Sequence, residues 1–259
     1  MIAALLGAAG IAVYLWAVAA YNRRFPDRAF SFWRVSAFVA GTVAMTVVLV
    51  PPIDPLAERL FAWHMTQHVV LMLIGPPLVL LGAPLLLLVA VPPPRVARAI
   101  TAFAQSRVGI ILFAPLTGWI CFIALLWLSH FSPLYETALE HPAVHVLEHL
   151  LYAGAALLFW SSVVQVGYTP RPLPFPARML YLFLAIPQGA FLGLAIYAAR
   201  GVLYPHYLQG HSFAAALADQ QNGGAVMWIA GGLLLFIAFM CTAGAWAAAE
   251  HTDASMSSG

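Results

Sequence analysis

Seven apolar stretches, each close to the length that crosses a lipid bilayer as a helix, constrain this chain more than any other feature. A transmembrane helix needs about 20 mostly apolar residues, because the hydrocarbon layer is about 30 Å thick. Soluble domains carry about 25% charged residues, whereas this chain of 259 residues has 8% charged and 63% hydrophobic residues. A soluble enzyme, a secreted disulfide scaffold and a disordered chain are therefore excluded. The sequence predicts an all-α polytopic membrane helix bundle whose seven spans cover approximately residues 3–20, 33–50, 57–81, 109–129, 144–166, 179–199 and 225–247.

The connectors between these stretches are short and rich in proline, with no charge runs and no internal repeats. They leave no room for a second folded unit, so residues 1–259 are predicted to form a single integral membrane domain. One further apolar segment, Gly82–Val91, is bracketed by prolines and is too short to span a bilayer. We expect it to be a broken helical extension or an interfacial piece.

The arginines lie mainly on one side of the predicted bundle, and the chain contains no lysine. Nine arginines occupy or flank the first, third and fifth connectors, whereas the even-numbered connectors hold only Arg59 and Arg200. Basic residues collect on the cytoplasmic side of membrane proteins, so the N-terminus is predicted to lie outside and the C-terminus in the cytoplasm. A cleaved signal peptide is the rival interpretation of residues 3–20, because Ala17–Ala19 resembles a cleavage site. No basic segment precedes that stretch and arginines follow it, which favours a retained span.

Residue types that are absent or isolated exclude several kinds of chemistry. Without lysine the chain cannot form a Schiff base or a phosphate-binding P-loop. Cys121 and Cys241 lie far apart inside apolar stretches, so neither a thiolate metal site nor a redox pair is indicated. A net charge of +2 is too small to indicate nucleic-acid binding.

Histidine is concentrated on the side opposite to the arginines. Apart from His251, every histidine lies in an outer connector or in the outer half of a predicted span, and most of the acidic residues lie there too. One leaflet thus carries the imidazole and carboxylate groups, and the other carries the guanidinium groups. The acids are Asp54, Glu58, Glu136, Glu140, Glu148 and Asp219.

Two pairs of histidines have the spacing that places both rings on one helix face. His64 and His68 form one pair, and His145 and His149 form the other; side chains four residues apart lie about 6 Å apart on a helix. Two pairs at comparable depth can supply four nitrogens to one ion, or three nitrogens plus a thioether or a carboxylate. Imidazole with thioether suits copper, whereas imidazole with carboxylate suits zinc or iron. The predicted metal ligands are His64, His68, His145 and His149, with Met65 and Met72 as candidate soft ligands.

Mutual hydrogen bonding is the alternative explanation for these histidines. An ionisable group within a span costs a few kcal/mol unless it has a partner, and the four imidazoles can be partners for one another. The remaining outer histidines are expected to be surface residues that guide an ion inward. They are His130, His141, His206 and His211.

Two further functions stay open at this point. His145, Glu148 and His149 match the pattern H-x-x-E-H, in which two histidines hold zinc and the glutamate is the general base. An intramembrane metallohydrolase is therefore one alternative. A haem-binding electron carrier is the other, with a single bis-histidine haem, because the histidines of each pair are one turn apart and cannot serve two haems across the bilayer.

The segments that carry these residues resemble the polytopic CtaG family of bacterial cytochrome c oxidase assembly factors. The likeness extends from about Asp54 to Trp246, while the first two spans match only as hydrophobic segments. It does not extend to the single-span copper chaperone that shares the family's name and uses cysteine ligands. The segments that carry it are Trp63–His68 with Gly75–Pro77 and Gly82–Pro84, His130–Tyr135, His141–His149, Tyr204–His206 and Asp219–Trp228.

This resemblance implies a multi-pass protein of the bacterial plasma membrane that helps to assemble cytochrome c oxidase. It implies an assembly factor or metallochaperone rather than a catalyst, so no catalytic residue is predicted. The implied cofactor is copper, as Cu(I), bound in the outer leaflet; haem and zinc are the alternatives. The implied partners are oxidase subunits and membrane lipid, without nucleic acid.

Residues around the histidines are expected to have supporting roles. Glu148 is expected to act as a base from outside the ligand set. Kinks at Gly75–Pro77 and Pro187–Gly189 are expected to let the site open. Three polar residues are expected either to orient the imidazoles from outside the ligand set or to satisfy the first N–H groups of the last span. They are Asp219, Gln220 and Gln221.

Overall fold

The described part of the chain is helical and contains no strand, which confirms that the fold is all-α. The computed structural model describes residues 2–257, so residues 1, 258 and 259 of the predicted single domain lie outside the described residues. Short 3-10 turns occur at Pro26–Arg28 and Pro205–Leu208. The helices are α1 (Ile2–Arg24), α2 (Phe32–Val47), α3 (Ile53–Arg59), α4 (Phe61–Leu81), α5 (Pro84–Ala90), α6 (Pro94–Gln105), α7 (Arg107–Leu112), α8 (Pro115–His130), α9 (Pro133–Glu140), α10 (Pro142–Ser161), α11 (Phe175–Ala198) and α12 (213–257).

Five of these helices are long and apolar enough to cross a membrane: α1, α4, α10, α11 and the stretch Phe213–Thr252 of α12. A sixth span results if α8 and α9, which are bent by 72° relative to each other, count as one. Helix α2 is apolar but shorter, with 16 residues. Each of the seven predicted stretches overlaps one apolar helix, and five or six of them reach spanning length. The chain is a multi-pass membrane protein.

Proline sets where many of the helices begin. It occupies the first position of α5, α6, α8, α9 and α10. Proline suits this position because a helix leaves its first N–H groups unpaired in any case. The predicted stretch 109–129 is divided for this reason, since α8 begins only at Pro115. The stretch 57–81 is divided at Leu60, whose extended backbone separates α3 from α4.

The apolar segment that follows Gly82 folds as the seven-residue helix α5, which is too short to cross a bilayer. Ala83 precedes it with a left-handed backbone, at a φ of 49°. The Tyr14 hydroxyl donates to the Gly82 carbonyl at 2.7 Å, and Arg24 donates to the Ala90 carbonyl at 2.8 Å. Helix α1 is thereby attached to a broken extension of α4, as the sequence predicts.

Glycines let neighbouring helices approach closely. A Cβ atom placed on Gly193 of α11 would lie 2.6 Å from the Gly224 carbonyl oxygen, and one on Gly224 of α12 would lie 2.7 Å from the Gly193 oxygen. The backbones of α11 and α12 therefore touch at these two residues. Gly41 of α2 makes a similar approach to the Gly75 carbonyl of α4. Small residues at helix contacts are typical of membrane bundles.

Helices α4 and α12 each contain a π-helical turn, at Val70–Ile74 and Val226–Gly231. Such turns occur frequently at functional sites. Both turns line a small, almost wholly apolar cavity of about 40 Å³, which His68 and Met72 also line. The cavity lies beside the histidine-bearing face of α4.

Candidate metal site

Helices α4 and α10 bring the four predicted ligands together. His64 Nε2 lies 2.9 Å from His68 Nε2, one turn further along α4. The His64 ring centroid is 5.3 Å from that of His145 and 6.0 Å from that of His149, both on α10. The rings of His68 and His149 are 5.9 Å apart. These four imidazoles form one cluster, which we call the histidine quartet.

The quartet faces the protein interior rather than lipid. His64 is 0% exposed, His68 2% and His149 8%, while His145 is half-buried. On the side of α10 that faces away from these histidines, Leu147 is 52% and Leu150 65% exposed. Helix α10 is thus polar toward the bundle and apolar toward its surroundings, as expected where lipid cannot solvate polar side chains.

Glu148 lies within reach of the quartet. Its side chain is fully buried, and its Oε2 atom is 3.9 Å from His64 Nε2. Two overlapping triplets have ligand atoms that all lie within 4.8 Å of one another: His64 with His145 and His149, and His64 with His68 and Glu148. The carboxylate can therefore reach an ion that His64 binds, which places it closer to the ligand set than the sequence predicts.

Several polar atoms of this cluster are buried and have no hydrogen-bond partner among the described residues. They are His68 Nδ1, His145 Nε2, His149 Nε2 and both Glu148 carboxylate oxygens. A buried group left unpaired costs about 1–3 kcal/mol. Mutual hydrogen bonding joins His64 to His68 but leaves these atoms unsatisfied. Imidazole nitrogens and a carboxylate are suitable ligands for a transition metal, so the cluster fits a metal ion.

Tyr207, in the 3-10 turn before α12, contacts His64 and was not among the residues predicted from the sequence. Its hydroxyl lies 3.3 Å from His64 Nδ1, 3.1 Å from the Tyr135 hydroxyl and 3.3 Å from the Ala57 carbonyl. Burial raises the pKa of Tyr207 well above its ordinary value, so the phenol stays protonated. A hydrogen bond to the non-ligating nitrogen fixes the orientation of a metal-binding imidazole. The nearby segment Tyr204–His206, noted in the sequence, was the available signal.

His130 is not the surface residue that the sequence predicts. It is 4% exposed, and its Nε2 lies 3.5 Å from Met65 Sδ. Its ring is 5.8 Å from that of His68. The reason is the sharp bend between α8 and α9, which brings the Tyr135 ring to 5.6 Å from His130. Met65, a predicted soft ligand of the quartet, therefore has its sulfur next to a fifth imidazole.

The other predicted residues lie further from the quartet. The Met72 side chain lines the small cavity with His68, and its carbonyl accepts a hydrogen bond from Trp160 at 2.7 Å. His141 is exposed at the start of α10, and His206 Nε2 lies 3.1 Å from the Glu58 carbonyl. His211 is half-buried ahead of α12. These three outer histidines belong to neither triplet of ligand atoms.

Asp219 does not lie in the first turn of its own helix, where the sequence prediction places it. Helix α12 begins at residue 213, so Asp219 lies almost two turns inside it. Its Oδ2 atom instead accepts a hydrogen bond of 2.6 Å from the backbone N–H of Phe61. Asp219 therefore caps α4, the helix that carries His64 and His68.

Gln220 and Gln221 do not contact the quartet either. The Gln220 Oε1 accepts from the Leu203 N–H at 2.6 Å and its Nε2 donates to the Gly201 carbonyl at 3.2 Å. This side chain holds the loop between α11 and α12. Gln221 is half-buried.

An acidic region adjoins the half-buried member of the quartet. Asp54 and Glu58 of α3 lie close enough to His145 to interact with it electrostatically. The Asp54 carboxylate also accepts a hydrogen bond of 3.3 Å from Gln67, which lies on α4 between His64 and His68. Two carboxylates thus lie near the most exposed imidazole of the quartet.

Comparisons with known proteins agree with the resemblance drawn from the sequence. The sequence model of a family described as cytochrome c oxidase caa3 assembly factor (Caa3_CtaG) matches residues 12–249. Uncharacterized proteins of Mycobacterium bovis and Mycobacterium tuberculosis are each 26% identical over 264 residues, and one of Mycobacterium leprae is 27% identical over 260 residues. The alignments cover 97%, 97% and 95% of this chain, but 40%, 40% and 39% of those relatives. The chain thus spans about 40% of the length of the curated relatives it matches. No solved structure matches it.

Proposed function

The chain belongs to the family of cytochrome c oxidase caa3 assembly factors, and from this premise we propose that it binds copper and delivers it to an oxidase subunit. Copper is the cargo in this proposal, carried as Cu(I), and the protein acts as a metallochaperone rather than as a catalyst. The observation that supports it is the histidine quartet, whose buried nitrogens lack hydrogen-bond partners among the described residues.

The proposed topology has seven spans in a bacterial plasma membrane, with the N-terminus outside and the C-terminus in the cytoplasm. The division of nine arginines against two between alternate connectors supports it. Helices α2 and α8, each of 16 residues, then complete the set. A helix of that length is about 24 Å long, and a bilayer accommodates a short span by local thinning. The quartet lies in the outer leaflet in this topology.

His64, His145 and His149 would hold the ion, and His64 with His68 and Glu148 would be an alternative set. This set contains no thiolate, since Cys121 and Cys241 are exposed elsewhere in the described chain. Imidazole ligands without thiolate favour moderate affinity over irreversible capture. Moderate affinity suits a carrier, because a partner protein can then take the ion by exchanging one ligand at a time.

The acidic region gives the ion a route to the quartet. Asp54 and Glu58 would concentrate cations at the outer side, and the half-buried His145 would be the first imidazole met. The fully buried His64 and His68 lie further inside. Entry and release by the same outer route would deliver copper on the side where an oxidase subunit can accept it.

Haem is less well supported than copper by the packing around the histidines. Sites for large ligands usually have volumes of about 300–1,000 Å³, whereas the cavity that touches His68 holds about 40 Å³. The alternative of a zinc hydrolase that uses Glu148 as its base is distinguished by the Glu148→Gln test described below.

The proposal is tested by copper binding to the purified protein in detergent. The chain is loaded anaerobically with Cu(I), competed with a chromogenic Cu(I) chelator, and analysed for copper per chain. We expect the double variant His64→Ala/His149→Ala to retain at least one copper fewer than the wild type. His141→Ala is the matched control, since His141 is exposed, and should bind as the wild type does. Equal copper in the wild type and the double variant, with unchanged helicity, would contradict the proposal.

A further inference from the structure

His130 and Met65 form a buried pair outside the quartet. Their Nε2 and Sδ atoms lie 3.5 Å apart, and the side chains are 4% and 0% exposed. His130 ends α8, and Met65 follows His64 on α4. Neither residue is needed to explain the quartet.

The hydrogen bonds of His130 determine which of its nitrogens carries the proton. Its Nδ1 lies 2.8 Å from the Leu126 carbonyl oxygen, which can only accept. A neutral imidazole has one donor nitrogen and one acceptor nitrogen. Nδ1 is therefore the donor, and Nε2 presents its lone pair to Met65.

The Met65 thioether also lacks a proton to donate. Two electron-pair donors thus face each other at 3.5 Å in a buried position. A second proton on His130 would place a positive charge there, and no carboxylate among the described residues forms an ion pair with His130. Burying an unpaired charge is strongly unfavourable. A cation bound between the two atoms would accept both electron pairs and remove the repulsion between them.

The neighbours of His130 hold its ring in place. Ser129 Oγ lies 3.0 Å from His130 Nδ1 and is also hydrogen-bonded to the Tyr152 hydroxyl. Both Ser129 and Tyr152 are fully buried. Outer hydrogen bonds of this kind orient metal-binding imidazoles, and here they keep Nε2 directed at the sulfur.

We propose that Met65 and His130 form a second, soft cation site that takes Cu(I). Thioether with imidazole selects Cu(I) over hard divalent ions. His68 connects this site to the quartet, because its ring is 5.8 Å from that of His130 while its Nε2 is 2.9 Å from that of His64. Its buried Nδ1, which has no hydrogen-bond partner among the described residues, offers a third ligand.

This inference extends the proposed function. A role for the Met65–His130 pair in copper transfer rests on that function. The ion would pass from the quartet to the soft pair through His68 by ligand exchange, with no change in oxidation state. Binding of a soft ion to Met65 and His130 does not itself depend on the quartet, so the two proposals can be tested separately.

The test is X-ray absorption of the detergent-purified chain loaded with Cu(I) alone, together with copper per chain. We expect two coppers in the wild type and a sulfur neighbour at one of them. Met65→Leu, which nearly conserves side-chain volume, should hold one copper and show no sulfur neighbour. Met227→Leu is the matched control because Met227 is likewise buried, at 5% exposure, and should resemble the wild type.

The double variant His64→Ala/His149→Ala separates the two proposals. If it loses copper but keeps the sulfur neighbour, both sites stand; if it loses no copper while the sulfur neighbour persists, the quartet fails and the soft pair stands. A wild-type spectrum without a sulfur neighbour overturns the soft site, whatever the variants do. A sulfur neighbour that survives Met65→Leu also overturns it.

Discussion

The Nε2 atoms of His64 and His68 face each other at 2.9 Å on a single helix. One of the two nitrogens must donate a proton and the other must accept it. An ion that binds at the Nε2 atom of either ring has to replace this hydrogen bond, which is worth about 0.5–1.5 kcal/mol. The metal-free protein therefore holds these two rings in a stable arrangement.

Replacing Glu148 with glutamine should weaken copper binding about 10–100-fold, the usual effect of removing a group that supports a metal site. The amide keeps the size of the side chain but cannot supply a carboxylate ligand to an ion beside His64, whose Nε2 lies 3.9 Å from the Glu148 carboxyl oxygen. Competition with a Cu(I) chelator measures the change.

Glu140→Gln is the control for this prediction, because Glu140 is exposed at the end of α9. If Glu148→Gln binds copper normally yet abolishes function in cells, the carboxylate acts as a base and the hydrolase alternative gains support.

Replacing Tyr207 with phenylalanine should also lower copper affinity, by about 10–100-fold, because His64 Nδ1 loses the hydroxyl at 3.3 Å. Burial raises the pKa of Tyr207, so the phenol stays neutral as the pH rises. The affinity ratio of wild type to variant should then be constant from neutral to mildly alkaline pH. Tyr197→Phe, at a residue that is 44% exposed, should leave affinity unchanged; an equal loss in both variants would contradict this role for Tyr207.

Removing the cap on α4 should destabilise the protein and loosen the quartet together. Asp219→Ala deletes the acceptor of the Phe61 N–H, and losing such a cap costs about 0.5–2 kcal/mol. Thermal unfolding in detergent and chelator competition measure the two effects. Asp219→Asn retains an acceptor oxygen and should lose less of both; if alanine and asparagine behave alike, the cap is not what positions the helix.

The contact between α11 and α12 should tolerate no added methyl group. Gly193→Ala places a Cβ atom 2.6 Å from the Gly224 carbonyl oxygen, and overpacking of this kind costs about 1–3 kcal/mol. Thermal unfolding should show the loss. Gly189→Ala lies one turn earlier on the same helix and meets no atom within 4 Å, so it should not destabilise the protein.

In cells, the quartet should determine how much copper the oxidase receives. A bacterium that makes His64→Ala/His149→Ala in place of the wild-type chain should assemble oxidase with a lower ratio of copper to haem. The ratio is measured on the purified oxidase, with His141→Ala as the control strain. If oxidase from the double-variant strain has its full copper content, the prediction is contradicted. The chain would then act in assembly without using these histidines.

The cluster of four imidazoles could be predicted from the sequence for a physical reason. A polar side chain in a span must face the bundle interior, and a spacing of four residues puts both members of a pair on that face. His64 and His68 on one span, with His145 and His149 on another at similar depth, could therefore meet. The helical fold followed equally directly from the apolar stretches.

The residues that surround the quartet could not be predicted in this way, because packing between distant parts of the chain determines their positions. Tyr207 reaches His64 across 143 positions of the chain, and Asp219 reaches Phe61 across 158. The burial of His130 depends on the 72° bend after α8, which hydropathy does not reveal. The positions of Met65 and Met72 near the His64–His68 pair in the sequence did indicate that sulfur lay near the site.

Because α4 and α10 are far apart in the sequence, the quartet can form only after α10 has been synthesised. His64 precedes His145 by roughly 80 residues, which a ribosome adds in about 4–16 seconds at about 5–20 residues per second. During that interval the newly inserted α4 has only its own two imidazoles to offer, and Asp219 and Tyr207 are made later still. In the proposed function, copper capture therefore has to wait until α10 and the segment that carries Tyr207 and Asp219 have been synthesised.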